Sequence, residues 1–290
     1  MTTPSLPNDL TLQVTADGSL TLVSGTVGEA FHSHCGAWQE AEGKFVQPCR
    51  LAELALRPAV TLMDVCYGLG YNTAAALTCI WRINPVCQIT WYGFEGDGRI
   101  PALAWDLGCF SHLPPRVRQV IAGLAHHQAV TQPYFQGRLW LGDARQTLPS
   151  LVAQGGKADA IFLDPFSPPR CPQLWTVEFL AEVAQALAPA GRLATYSSAA
   201  AVRTALHATG LGFGPTPPVG RRAPGTVASW PPTDLPPLSL AEQEHLLTRA
   251  AIPYRDPHLQ DDPATIHQRR TQEQALSTLE PAGRWRARWA

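Results

Sequence analysis

At 290 residues, 45% of them hydrophobic and 16% charged, the chain can bury one large core and is excluded from the disordered class. A net charge of −1 removes any overall field that would draw in nucleic acid indiscriminately, so an RNA partner would have to be held by local patches. No apolar run approaches the roughly 20 residues of a membrane span, the N-terminus lacks a basic-then-apolar signal, and the seven cysteines contain no CxxC pair. A soluble cytoplasmic protein with reduced thiols is expected.

In chain order, residues 10–23 alternate apolar and polar around Asp17-Gly18, which predicts a β-hairpin. Residues 29–37 lead into a helical segment ending near Leu56, so 1–57 read as an N-terminal extension packed on a core. From Val60 a βα alternation begins, with strands predicted at 60–63, 88–94, 138–141, 158–163, 191–196 and 226–230 and a helix at 73–82. Short apolar strands separated by helices need crossover connections, and this predicts a doubly wound, mostly parallel sheet over 58–230. Residues 231–237 form a proline-rich linker, followed by an amphipathic helix over 238–251 and a polar helix over 263–279; 231–290 thus read as linker and helical tail.

The first strand runs into Asp64-Val65-Cys66-Tyr67-Gly68-Leu69-Gly70-Tyr71-Asn72, a strand, glycine-rich turn and helix start. Gly68 and Gly70 let backbone approach a ligand, and the helix start offers N–H groups. A dinucleotide fingerprint would want a third glycine where Thr73 stands. The acidic residue four before the first glycine suits a ligand with an amino group, which points to S-adenosylmethionine.

Acidic residues close four successive strands, where ligands of doubly wound sheets bind. Glu95 could accept from ribose hydroxyls, Asp143 beside Ala144 from the adenine amino group, and Asp64 or a neighbour could hold the methionine ammonium; Asp164 would face the methyl group. The fourth strand end continues as Asp164-Pro165-Phe166-Ser167-Pro168-Pro169-Arg170-Cys171-Pro172-Gln173-Leu174-Trp175-Thr176. Its prolines hold an acid beside an aromatic ring, an arrangement that suits an amine on a planar base.

This segment resembles the Asp-x-Phe-Ser-Pro…Pro-x-Leu-Trp-Thr signature of the MnmC-type methyltransferases, the tRNA 5-methylaminomethyl-2-thiouridine methyltransferase domain. Asp64, Gly68, Gly70 and Asn72 are similar to the family's nucleotide loop, and Gly28-Glu29-Ala30-Phe31-His32-Ser33 with Gly36, Ala37 and Glu40 to its N-terminal segment, over roughly residues 20–230. The resemblance implies a seven-stranded, Rossmann-like class I fold and S-adenosylmethionine-dependent N-methylation of 5-aminomethyl-(2-thio)uridine at the tRNA wobble position. It implies catalytic roles for Asp164, Pro165 and Phe166, and cofactor contacts from Asp64, Tyr67, Gly68, Gly70, Asn72, Glu95, Asp143, Ala144 and Asp164. Substrate contacts would come from His32, Ser33, Ser167, Trp175, Arg221 and Arg222. No second glycine-rich βαβ fingerprint follows, so the stand-alone form without flavin chemistry is expected.

His32, His34, Cys35 and Cys49 fit no zinc spacing, and no metal is expected. For RNA, the candidates are Arg221-Arg222, Arg269-Arg270 and Arg284-Trp285-Arg286-Ala287-Arg288-Trp289, where guanidinium groups alternate with rings able to stack on bases; a solvated tail is the alternative for the last. Two other functions fit the same residues: methylation of a small amine or polyamine, and a non-catalytic RNA-binding scaffold.

Overall fold

The N-terminal alternation produces β1 (Leu10–Val14) and β2 (Leu20–Ser24), paired antiparallel with Leu12 opposite Leu22; β3 (Glu29–Ala30) adds a third strand. The computed structural model describes residues 6–219, 223–232 and 234–289. The stretch up to residue 56 is not one helix. α1 (Ala37–Glu40) runs into a π-helical turn, Ala41–Val46, and α2 (Leu51–Leu54) starts after Arg50 at φ 52°. Pro48, which lacks an N–H and clashes with the preceding turn, accounts for the break.

The alternating segment runs β4 (Ala59–Val65), α3 (Tyr71–Ile83), β5 (Gln88–Glu95), α4 (Arg99–Asp106), α5 (Pro115–His127), β6 (Ala129–Gln132), β7 (Phe135–Leu141), α6 (Ala144–Ala153), β8 (Ala158–Leu163), α7 (Val177–Gln185), β9 (Leu187–Thr195), α8 (Ala200–Ala208), β10 (Gly212–Pro215) and β11 (Thr226–Ser229). The sheet order is β10-β11-β9-β8-β4-β5-β7-β6. The five central strands are parallel; β11 and β6 run against them, and β10 pairs antiparallel with β11 at one edge. The sheet therefore has eight strands where seven were expected. The chain-order reading passes over β6 and β10 because each is a four-residue edge strand, one with only two apolar residues and the other holding two glycines and a proline.

Side chains alternate across the central strands as the pleat requires. Val60, Leu62 and Trp91 join one core with α3 and α5, while Met63, Val65 and Phe94 join the other with α6, α7 and α8. Strand order reverses between β4 and β8, the place where ligands enter this architecture.

The tail departs from its prediction. In place of a helix over 238–251 there are α9 (Leu240–His245), started by a Ser239–Glu242 capping box, and a separate 3-10 turn, Arg249–Ala251. The ladder stops because Thr248 bridges Glu280 and the Arg249 N–H donates to Glu280 O at 2.8 Å. α10 (Pro263–Leu276) is capped by Asp262, and α11 (Ala282–Trp289) packs back on α9. Among the described residues no helix is long and apolar enough to cross a membrane.

Candidate active site

A cavity of about 460 Å³ opens at the carboxyl ends of β4, β5, β7 and β8, within the size range of small-molecule sites. Two loops form its floor. After β4 the chain turns through Cys66 at φ 68°, Gly68 at φ 55° and Gly70 at φ 97°. A Cβ on Gly70 would lie 2.4 Å from the Tyr67 hydroxyl, so glycine is required there by space as well as by dihedral. The Gly68 N–H donates to Glu95 Oε2 at 2.7 Å, and the Asp97 N–H to Oε1 at 2.8 Å, which fixes the Glu95 carboxylate on the wall. Burial pushes the Glu95 carboxyl up from its ordinary value, and these N–H donors oppose the shift.

After β8 the proline-rich loop is tied at successive atoms. The Asp164 N–H donates to Val65 O at 3.0 Å, joining the two loops. Tyr196 Oη donates to Pro165 O at 3.0 Å and Trp175 Nε1 to Phe166 O at 2.8 Å. The Ser167 N–H donates to Glu29 Oε2 at 2.9 Å, and the Ser167 hydroxyl donates to Glu29 Oε1. Asn72 Nδ2 donates to Asp164 Oδ2 at 2.8 Å, so the first helix turn of one loop orients the acid of the other. Phe166 meets Phe31 edge to face, ring centroids 4.9 Å apart, which brings the N-terminal extension onto the same cavity.

Of the residues singled out in the sequence, His32, Ser33, Gly68, Glu95, Asp143, Ala144, Asp164, Pro165, Phe166 and Ser167 line the cavity. Asp64, Tyr67, Gly70, Asn72 and Trp175 lie behind this wall. Asp64 is fully buried under the loop, where Thr73 Oγ1 donates to its Oδ2 at 2.6 Å and Oδ1 has no partner among the described residues; desolvation pushes its carboxyl up to about 7. Asp64 is not among the residues that line the cavity and supports the loop from beneath. Trp175 is likewise a prop for Phe166, because its indole is fully buried. Arg221 and Arg222 lie outside the described residues.

The sequence reading does not single out Asp97, Cys171 or Tyr196, which also line the cavity. Tyr196 follows β9 directly, so the strand-end rule finds it once the search is widened beyond acidic residues. In the C-terminal Arg/Trp segment, Trp285 stacks on His245 with centroids 3.9 Å apart and donates to Ala241 O at 2.8 Å, and Arg288 pairs with Glu244 and Glu280, while Arg284, Arg286 and Trp289 are exposed. Arg270 is similarly drawn inward, over the Tyr254 ring and onto the Ile252 and Ala250 carbonyls. Trp285 and Arg270 are thus used within the fold.

The donor set fits a cationic ligand. Glu29, Glu40, Glu95, Asp97, Asp143 and Asp164 face the cavity, with no lysine or arginine among the described residues that line it. His32 adds no charge, since desolvation holds its imidazole down at about 4. The family model described as S-adenosyl-L-methionine-dependent methyltransferase matches residues 112–231. Sheet, switch point and anionic cavity together define an S-adenosylmethionine-dependent methyltransferase.

The fold matches MNMC2 from Aquifex aeolicus with a TM-score of 0.81 at 33% identity, covering 92% of this chain and 85% of that one. The tRNA 5-methylaminomethyl-2-thiouridine biosynthesis bifunctional protein MnmC of Aromatoleum aromaticum is 32% identical over 212 residues, 69% of this chain and 32% of its own length. An uncharacterised protein of Methanocaldococcus jannaschii is 31% identical over 255 residues, 87% of this chain and 68% of that one. The chain belongs to the MnmC-type methyltransferase family. It spans about a third of the length of its bifunctional relatives.

Proposed function

We propose that the protein N-methylates the 5-aminomethyl group of 5-aminomethyl-(2-thio)uridine at the tRNA wobble position, giving the 5-methylaminomethyl product. The observation that carries this reading is the joint presentation of Asp164 and Phe166 on one wall of an anionic cavity, in a chain whose relatives are named for 5-methylaminomethyl-2-thiouridine biosynthesis. Glu95 would hold the ribose of S-adenosylmethionine and Asp143 with Ala144 its adenine. When bound, that cofactor supplies a methyl group made electrophilic by its sulfonium.

The chain's own residues then have three tasks. The wall carboxylates favour a cationic cofactor and draw in an amine. Asp164, oriented by Asn72, accepts an N–H of the amine and directs its lone pair; an incoming ammonium must first give up a proton, which Asp164 passes to water. Phe166, with both flanking carbonyls tied and Phe31 at its edge, provides a fixed face for the pyrimidine. Positioning of this kind supplies several kcal/mol of a barrier. Arg170, exposed on the turn after Phe166, would meet a tRNA phosphate.

The test is incubation of the purified chain with S-adenosylmethionine and tRNA carrying 5-aminomethyl-uridine, read by mass spectrometry of the wobble nucleoside. A single added methyl is expected. Methylation of free polyamines with none on the tRNA would overturn the substrate, and absence of S-adenosylmethionine binding would overturn the cofactor site.

A further inference from the structure

Asp143 does not stand alone on the cavity wall. It caps α6, accepting the Arg145 N–H at 2.9 Å, and its carboxylate is gripped by the same residue's side chain: Nε at 3.2 and 3.0 Å from the two oxygens, and one terminal nitrogen at 2.8 Å from Oδ2. Three hydrogens thus make four contacts with the carboxylate, two at each oxygen, so a ligand's amino group would share an oxygen with the guanidinium. The other terminal nitrogen of Arg145 turns away from the cavity, to Asp256 Oδ2 at 2.8 Å and Asp261 O at 2.9 Å.

Asp256 comes from the tail, beyond the matched residues 112–231, and is fully buried. Its second oxygen accepts the Gln260 and Asp261 N–H groups, each at 3.1 Å, and its own N–H donates to Glu178 Oε2 at 2.8 Å. A buried carboxylate so completely held fixes where the guanidinium can sit. The trio Asp143, Arg145 and Asp256 keeps a net charge of −1. Without Asp256 the guanidinium would belong to Asp143 alone and would neutralise it.

We propose that Asp256 is a positioning residue of the cofactor site: acting through Arg145, it holds Asp143 as a net-anionic acceptor for the exocyclic amino group of adenine. The proposal rests on the reading of Asp143 as the adenine contact, and it makes the C-terminal tail part of the cofactor site.

The test compares, by calorimetry on the full chain, the binding of S-adenosylhomocysteine and of its analogue with hydrogen in place of the purine 6-amino group. The native chain should prefer the amino form. In Asp256→Asn that preference should shrink by about three- to thirty-fold, the range for residues that modulate a site without touching its ligand. Equal weakening of both ligands, or no change in either, would overturn the proposal by reducing Asp256 to a structural role. If Asp256→Asn does not fold, Arg145→Lys, which keeps the charge and loses the fork, reads the same ratio against the same two outcomes. Asp143→Ala separates the premise: if it retains the full preference, the reading of Asp143 as the adenine contact fails, whatever Asp256 does.

Discussion

The parallel neighbours β4 and β8 each carry an aspartate at the carboxyl end, Asp64 as the last but one residue of β4 and Asp164 as the first residue beyond β8, and the two acids end in opposite places. The glycine loop folds back over its acid, so that Asp64 is buried beside Thr73, while the proline loop is stretched across ties to Tyr196, Trp175 and Glu29 and presents Asp164 to the cavity. Glycine buys close approach of the backbone at the cost of covering what lies below; proline holds a side chain out. A strand-end carboxylate is therefore a ligand group only if the loop after it leaves its face open.

The harshest way to break this comparison is Gly70→Val. The new side chain must adopt φ near 97° and meet the buried Tyr67 hydroxyl, at a combined cost of about 3 to 5 kcal/mol. Urea unfolding should show that loss, and S-adenosylmethionine binding should go with it. Asp164→Asn probes the other loop: turnover should fall by about 10²- to 10⁴-fold while the cofactor Kd stays within a factor of three, measured by single-turnover kinetics and calorimetry. An equal loss of cofactor affinity would mean that Asp164 serves the cofactor and not the amine.

Smaller effects sharpen the contrast. Glu29→Gln weakens the charged acceptor of both Ser167 donors, and kcat/KM should fall about ten-fold, in the range of one lost hydrogen bond to a charged group, with the cofactor Kd unchanged.

The pH dependence of stability tests the buried acid. Because the folded carboxyl of Asp64 is raised to about 7 from a reference of 3.8, the folded state binds a proton that the unfolded chain has released over this window. Its contribution to stability is fully present below about pH 4 and is lost as pH rises through about 7. Thermal melts of Asp64→Asn should therefore gain on the native chain between pH 5 and 8; parallel curves would show that Asp64 does not titrate there.

Arg288→Ala should do least. It removes exposed pairs with Glu244 and Glu280, and the melting temperature and tRNA affinity should both stay within scatter. A clear fall in tRNA affinity with a flattened salt slope would restore the tail as a phosphate contact.

How much of this was legible in the chain differs by element. β8 falls on 158–163 as predicted, because an apolar run between polar turns leaves little freedom in its ends. β6 escapes, because a short edge strand with only two apolar residues is specified by its partner β7 more than by its own residues. Glu95, Asp143 and Asp164 are visible as strand-end acids, since the βα period places the carboxyl ends of parallel strands on one edge of the sheet. Trp285 reads as a stacking residue for a base, and only packing reveals that His245 takes its face.

The sequence by itself determined the parallel αβ core, the glycine loop, the proline loop and the family, because all four are set by local patterns of period, turn chemistry and contiguous motif. The tertiary structure alone decided which acids face the cavity, that Glu29 and Phe31 complete its wall, and that Asp256 stands behind Asp143. Those relations join residues as far apart as 29 and 167, or 145 and 256, and no local pattern encodes the distance between two side chains that meet only when separate segments pack against the same end of the sheet.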